Sequence, residues 1–199
     1  MITSSVKGIQ EVKDALRKEM EKLAEGNNMV LVGIQESAGE EESGMTVAQI
    51  GAVHEYGAKI EHPGGTSYGF KDQKAAEQGQ VRFLKKGEGF MELGVTGPHE
   101  IDIPARPWLE PGVEDGTHEY LNIVEDGLAK DVPKDRILNQ LGVLAVANVQ
   151  QKIVEVHEPP NAKSTIQKKG SSNPLIDKGV IRQSVSYLLT KDIPKEGLE

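Results

Sequence analysis

"DVPKDRILNQLGVLAVANVQQKIVEV", residues 131–156, carries the strongest helical pattern in the chain, and the rest of the fold is read outward from it. Ile137, Leu138, Leu141, Leu144, Ala145, Val149 and Ile153 recur at three- and four-residue steps, which places one continuous apolar stripe along a helix. Asp131 is a cap candidate, and Pro133 suits a first turn because its missing N–H would have no partner there anyway. Gly142 and Ala145 beside the stripe let another element approach closely. The pattern predicts this helix at the centre of the core.

The segments before it alternate between helix and strand. Val6, Ile9, Val12, Leu16, Met20 and Leu23 predict an amphipathic helix ending near Gly26, and "NNMVLVGIQ" (27–35) reads as a buried strand. The acidic stretch "ESAGEEESGM" (36–45) reads as a loop. In "TVAQIGAVHEYG" (46–57), Thr46 and Gln49 have capping-box spacing, and Gly57 suits a left-handed helix end. His54, Glu55 and Tyr56 then fall in the last turn of a short helix.

Residues 59–103 read as a β-arm or insertion. Within it, "QVRFLKKGEGFMELGV" (80–95) predicts a hairpin turning at Lys85–Gly89, with Met91, Leu93 and Val95 on one half-buried face. Val113, Tyr120, Leu121, Val124 and Leu128 predict a further helix. Residues 158–173 read as a flexible loop, and Val185, Tyr187 and Leu189 as a closing strand. The expected fold is therefore one α+β domain over 1–199: a small, mainly antiparallel sheet on two or three helices, with a long β-hairpin or loop arm.

Composition limits the chemistry. With no cysteine among 199 residues, disulfides, thiol nucleophiles and thiolate metal sites are excluded. A net charge of −8 opposes a surface that holds nucleic acid by neutralising phosphates. No secretion signal or apolar membrane span is evident, so the expectation is synthesis in the cytoplasm without membrane contact. The five histidines are scattered, with no HExxH, GxSxG or P-loop pattern, and no catalytic, cofactor or metal residue is assigned. His54 with Glu55 and His62 is the one combination that would suit a metal hydrolase. The basic stretch around Lys163, Lys168 and Lys169 suits either an acidic or phosphate partner or a solubilising turn.

Three ordered stretches carry a resemblance: "AQIGAVHEYGAKI" (48–60), "IPARPWLEPG" (103–112) and "NPLIDKGVIRQSVSYLL" (173–189). Together they resemble the virion morphogenesis proteins of tailed bacteriophages, the neck, head–tail joining or tail-completion proteins. Members often show a helix ending in His-Glu-[Phe/Tyr]-Gly, an Ile-Pro-Ala-Arg-Pro-[Phe/Trp] segment, and a closing Pro-Leu-x-Asp-x-Gly run. Lys178 stands where threonine is common, and the connection from His62 to His99 is longer than in many members.

The resemblance implies a non-enzymatic structural protein of the virion neck, made in the host cytoplasm. It would form a homo-oligomeric ring, of six or twelve copies, that completes the tail, joins it to the head and leaves a channel for DNA. Its partners would be a head connector or portal-associated protein on one side and a tail terminator or tail tube protein on the other. DNA would pass without specific binding. Alternative readings are a tail terminator, a minor head protein, or the His/Glu metal hydrolase. Interface candidates are His54, Glu55, Tyr56, Arg106, Trp108, Lys168 and Lys169, with Trp108 as a core plug and Arg106 as an internal ion pair the competing intramolecular reading.

Overall fold

The computed structural model describes residues 29–41, 44–85 and 87–191. The helix expected over Val6–Leu23 lies outside them. The fold is α+β, with antiparallel ladders. It divides into two compact units: a body, made of the chain up to Tyr56 and from Ala105 onward, and a second unit, Gly57–Pro104.

In the body, strand β1 (Met29–Ile34) pairs antiparallel with the closing strand β7 (Val185–Thr190), from Met29 opposite Thr190 to Ile34 opposite Val185. Both are rich in β-branched and aliphatic residues, which suits a half-buried pleat. Helix α1 (Val47–Tyr56) begins with the expected capping box. The Thr46 N–H donates to Gln49 Oε1 at 2.9 Å, and the Gln49 N–H donates to Thr46 Oγ1 at 3.1 Å. Gly57 follows at φ 77°, in the left-handed region that a side chain would resist.

After the second unit come α3 (Leu109–Glu114), α4 (Thr117–Ala129) and the long α5 (Lys134–Glu155). The helix expected from Val113 to Leu128 is thus two pieces, broken at Asp115–Gly116. Asp131 is not the cap of α5. It sits at φ 50° just past α4, where the Val132 N–H donates to Gly127 O and the Asp131 N–H to Leu128 O. That pattern closes the carbonyl end of α4, so Asp131 serves the preceding helix and Pro133 becomes the N-cap of α5.

α5 is the centre of the body, as its stripe predicts: Ile137, Gly142, Ala145, Val149 and Ile153 are buried. It packs against β1, β7 and α3. Gly142 is where Tyr187 of β7 lies across the helix, so close that an added Cβ would overlap the ring. Val149 and Ile153 join Trp108, Leu175, Ile181 and Val185 in the buried core, with Val32, Ile34 and Ile50 packed against it.

Residues 163–169 correct the expected loop: Lys163–Lys169 form a helix, α6, closed by Gly170 at φ 71°. The polar, Gly- and Pro-flanked composition masked a stretch that contains no helix breaker of its own. A last short helix, α7 (Val180–Ser184), runs directly into β7.

The second unit contains the whole of 59–103. Strands β2 (Ala58–His62) and β6 (His99–Ile103) form a two-stranded ribbon, Ala58 opposite Ile103 and His62 opposite His99. Beyond them, β3 (Ser67–Phe70) lies between β4 (Arg82–Phe83) and β5 (Met91–Val95), with α2 (Gln73–Glu77) in the connection from β3 to β4. The expected hairpin over 80–95 is therefore not formed. Both of its halves pair with β3 instead of with each other.

The expected single face of Met91, Leu93 and Val95 is broken as well. Tyr68 pairs with Gly94 but Gly69 pairs with Glu92, so Leu93 is an extra residue at a bulge. One inserted residue reverses the alternation, which puts Met91 and Val95 on opposite faces. Met91 shares its face with Tyr68, Phe70 and Phe83, and these four are the apolar side of the sheet.

Candidate functional site

The last turn of α1 and the segment 105–110 form a densely hydrogen-bonded polar node among the described residues of the body. Glu55 is only 6% exposed, and its carboxylate faces the start of α3. Oε2 accepts the N–H groups of Trp108 at 2.7 Å and Leu109 at 2.9 Å, and Oε1 accepts that of Glu110 at 3.3 Å. A helix start leaves such N–H groups without intrahelical partners, and its partial positive charge favours a carboxylate. Glu55 thus caps a helix that begins more than fifty residues further along the chain.

Trp108 is 2% exposed, and its indole N–H donates to Gly51 O at 3.3 Å. Gly51 has no side chain to hold the ring away: a Cβ there would stand 3.3 Å from Trp108 Cζ2. Arg106, 4% exposed, donates from its backbone N–H to His54 O at 2.7 Å. Its guanidinium reaches the carbonyls of Pro159, at 2.7 Å from Nε, and Pro160, at 3.3 Å from Nη2. Glu55, Arg106 and Trp108 are therefore corrected as interface candidates. Their polar atoms and ring are used inside the body, which is what a buried charge or indole requires.

His54 is half-buried, and its Nδ1 is buried with no hydrogen-bond partner. Burial lowers its pKa, and the charges of Arg106 and Lys169 push the same way, so the ring is neutral at neutral pH. His62 belongs to the other unit, where it stacks on His99 with ring centroids 4.9 Å apart and takes the Gly64 N–H on Nδ1 at 2.9 Å. Among the described residues, no group of three or more histidine, aspartate or glutamate side chains is placed to hold a metal ion. Nor is any described helix long and apolar enough to cross a membrane.

Lys169 is turned inward. Its ammonium donates to the carbonyls of Asn173 at 3.0 Å and Pro174 at 3.3 Å, which accounts for a basic residue the sequence left open between an external partner and a solubilising turn. Of Lys168, the backbone lies in α6 and the side chain is outside the described part. Tyr56, by contrast, is 78% exposed at the end of α1 and remains available for contact.

Asn173 is the structural residue that the sequence reading passed over. Its Nδ2 donates to Val154 O at 2.9 Å, and its Oδ1 accepts from the Leu175 and Ile176 N–H groups at 2.9 and 3.0 Å. It ties the end of α5 to the turn that delivers Leu175 to the core. The Asn-Pro pair at 173–174 is the signal that marks such a turn. Beside it, α1, α6, α7 and the segments joining the last two border an open cleft of about 510 Å³, with Val47, Ile50, Leu175 and Ile181 as its apolar wall.

No protein-family model, curated protein or solved structure matches this chain.

Proposed function

We propose that this chain is a non-enzymatic structural protein of a tailed-phage virion, a neck or tail-completion protein that closes a homo-oligomeric ring between head and tail. The observation that carries the reading is how the three resembling stretches divide the work of the body. The first supplies Glu55, the second Trp108 and Arg106, and the third Leu175, Ile181 and Val185, and all but Arg106 meet in one core or cap its edge. The ordered motifs are thus explained as the specification of one body, whose outer surface and second unit are left for contacts.

A ring needs two different surfaces on each copy, meeting head to tail around the axis. Tyr56 on the body and the apolar side of the β4–β3–β5 sheet are exposed groups of the kind that interfaces use. The acidic excess of the chain would let DNA slide through a channel without being held.

The deciding experiment is electron microscopy of lysates from a phage whose copy of this gene carries an early stop codon. Filled heads and finished but unjoined tails are expected, with joining restored by the gene supplied in trans. Normally joined particles would end the proposal.

A further inference from the structure

Two surface features remain without an assigned contact, an aromatic sheet face and a cleft. On the second unit, Phe83 is 69% exposed on the sheet face that also carries Tyr68, Phe70 and Met91. Aromatic and methionine side chains gathered on an exposed face mark an interaction surface more than a solvated one. On the body, the cleft beside α1, α6 and α7 is floored by the buried side chains of Val47, Leu175 and Ile181, with half-buried Ile50 at its side, and Glu41 and Asp177 also line it. Its size is within the range of about 300–1,000 Å³ that admits a group larger than one aromatic ring. Of the lysines that line it, Lys169 is engaged with the carbonyls of Asn173 and Pro174.

We infer that Phe83, with Met91 beside it, seats in the cleft between α1, α6 and α7 of a second copy of this chain. The inference rests on the ring reading and names its contact. An apolar projection and an apolar recess on different parts of one chain make a heterologous pair, and heterologous pairs repeat around an axis. Charge selects the same occupant. Residues 57–104 hold nearly equal numbers of acidic and basic side chains, so almost all of the net charge of −8 lies outside them. Two bodies repel each other, whereas a near-neutral arm approaches a body freely. Lys85, two residues past Phe83, brings positive charge toward Glu41 and Asp177, whereas Arg82 projects from the opposite face of the sheet.

Because the chain has no cysteine, single introduced thiols report the contact without background. Val81→Cys, beside Phe83, is prepared as one protein and Thr165→Cys, in the cleft, as another; the two are mixed at millimolar concentration and oxidised. The expected product is a disulfide-linked pair containing one of each protein, which only contact between copies can give. Adding Phe83→Ser to the first protein should cut the yield by roughly tenfold or more, as for loss of an anchoring aromatic. Phe83 is exposed, so an unchanged circular dichroism spectrum checks that this variant still folds. No mixed disulfide, or a yield indifferent to Phe83→Ser, overturns the contact. The two proposals fail separately. Unjoined heads and tails without the disulfide would retain the neck reading and remove the contact, and the disulfide with normally joined particles would do the reverse.

Discussion

Glu55 Oε2 lies 2.7 Å from the backbone nitrogen of Trp108, so a buried carboxylate at the end of one helix closes the beginning of another. This joins the first two resembling stretches through a single side chain. Glu55→Ala would leave the N–H groups of Trp108, Leu109 and Glu110 without their acceptor. The expected loss is about 3 kcal/mol in urea unfolding, since each orphaned buried donor costs about 1–3 kcal/mol and solvent can reach some of them after the truncation. Glu55→Gln keeps the shape and one oxygen, and should lose less than the alanine variant.

Trp108→Ala removes the largest side chain of the core together with the hydrogen bond to Gly51 O. Large aromatic truncations cost about 3–5 kcal/mol. The variant should melt early in calorimetry and yield little folded protein. A variant that melts normally, yet fails only in head–tail joining, would restore Trp108 to the interface.

His54 makes stability fall in acid. Its pKa is lowered in the folded chain by burial first, then by Arg106 and Lys169. A base that binds its proton less well when folded favours unfolding once the solvent supplies that proton. Its contribution is complete above the ordinary histidine value of about 6.5 and is lost as the pH falls through the folded value. Between about pH 7 and about pH 5 the wild type should therefore lose more stability than His54→Asn, measured as the difference between their urea midpoints. Equal losses would remove His54 from the acid response.

Gly142→Ala should destabilise the body although alanine is the better helix former. The added methyl would overlap the Tyr187 ring, which also donates its hydroxyl to Asn139 Oδ1 at 2.9 Å. Overpacking of this kind costs about 1–3 kcal/mol, more than the gain of about 1 kcal/mol in helix propensity. The double variant Gly142→Ala with Tyr187→Leu should show a smaller penalty for the alanine than the single variant does, and additive losses would mean that the two residues do not meet.

The elements with a regular period were legible in the sequence. The stripe of α5, the capping box at Thr46 and the closing strand appear where their spacing placed them; the first two depend on neighbours within a few residues, and the third carries its own alternation. Several of the departures involve partners far along the chain. Nothing near Glu55 announces that it will cap α3, and nothing near Arg106 points to the carbonyls of Pro159 and Pro160. The hairpin expected at Lys85–Gly89 failed for the same reason: strand pairing is decided by the competing partner, here β3, and the bulge at Leu93 then inverted the faces. Of the candidate residues, the structure leaves Tyr56 on the surface and draws Glu55, Arg106 and Trp108 inside.

The second unit leaves the chain and rejoins it through paired strands, with Ala58 directly opposite Ile103. Residues so paired stand about 5 Å apart, a gap that a two-residue turn can bridge. The body could therefore be closed without this unit, or closed around a different one, since its core cluster takes no residue from 57–104. In effect the fold has a socket: one insertion or deletion in the gene can exchange residues 57–104, while the body residues keep their own order in the chain.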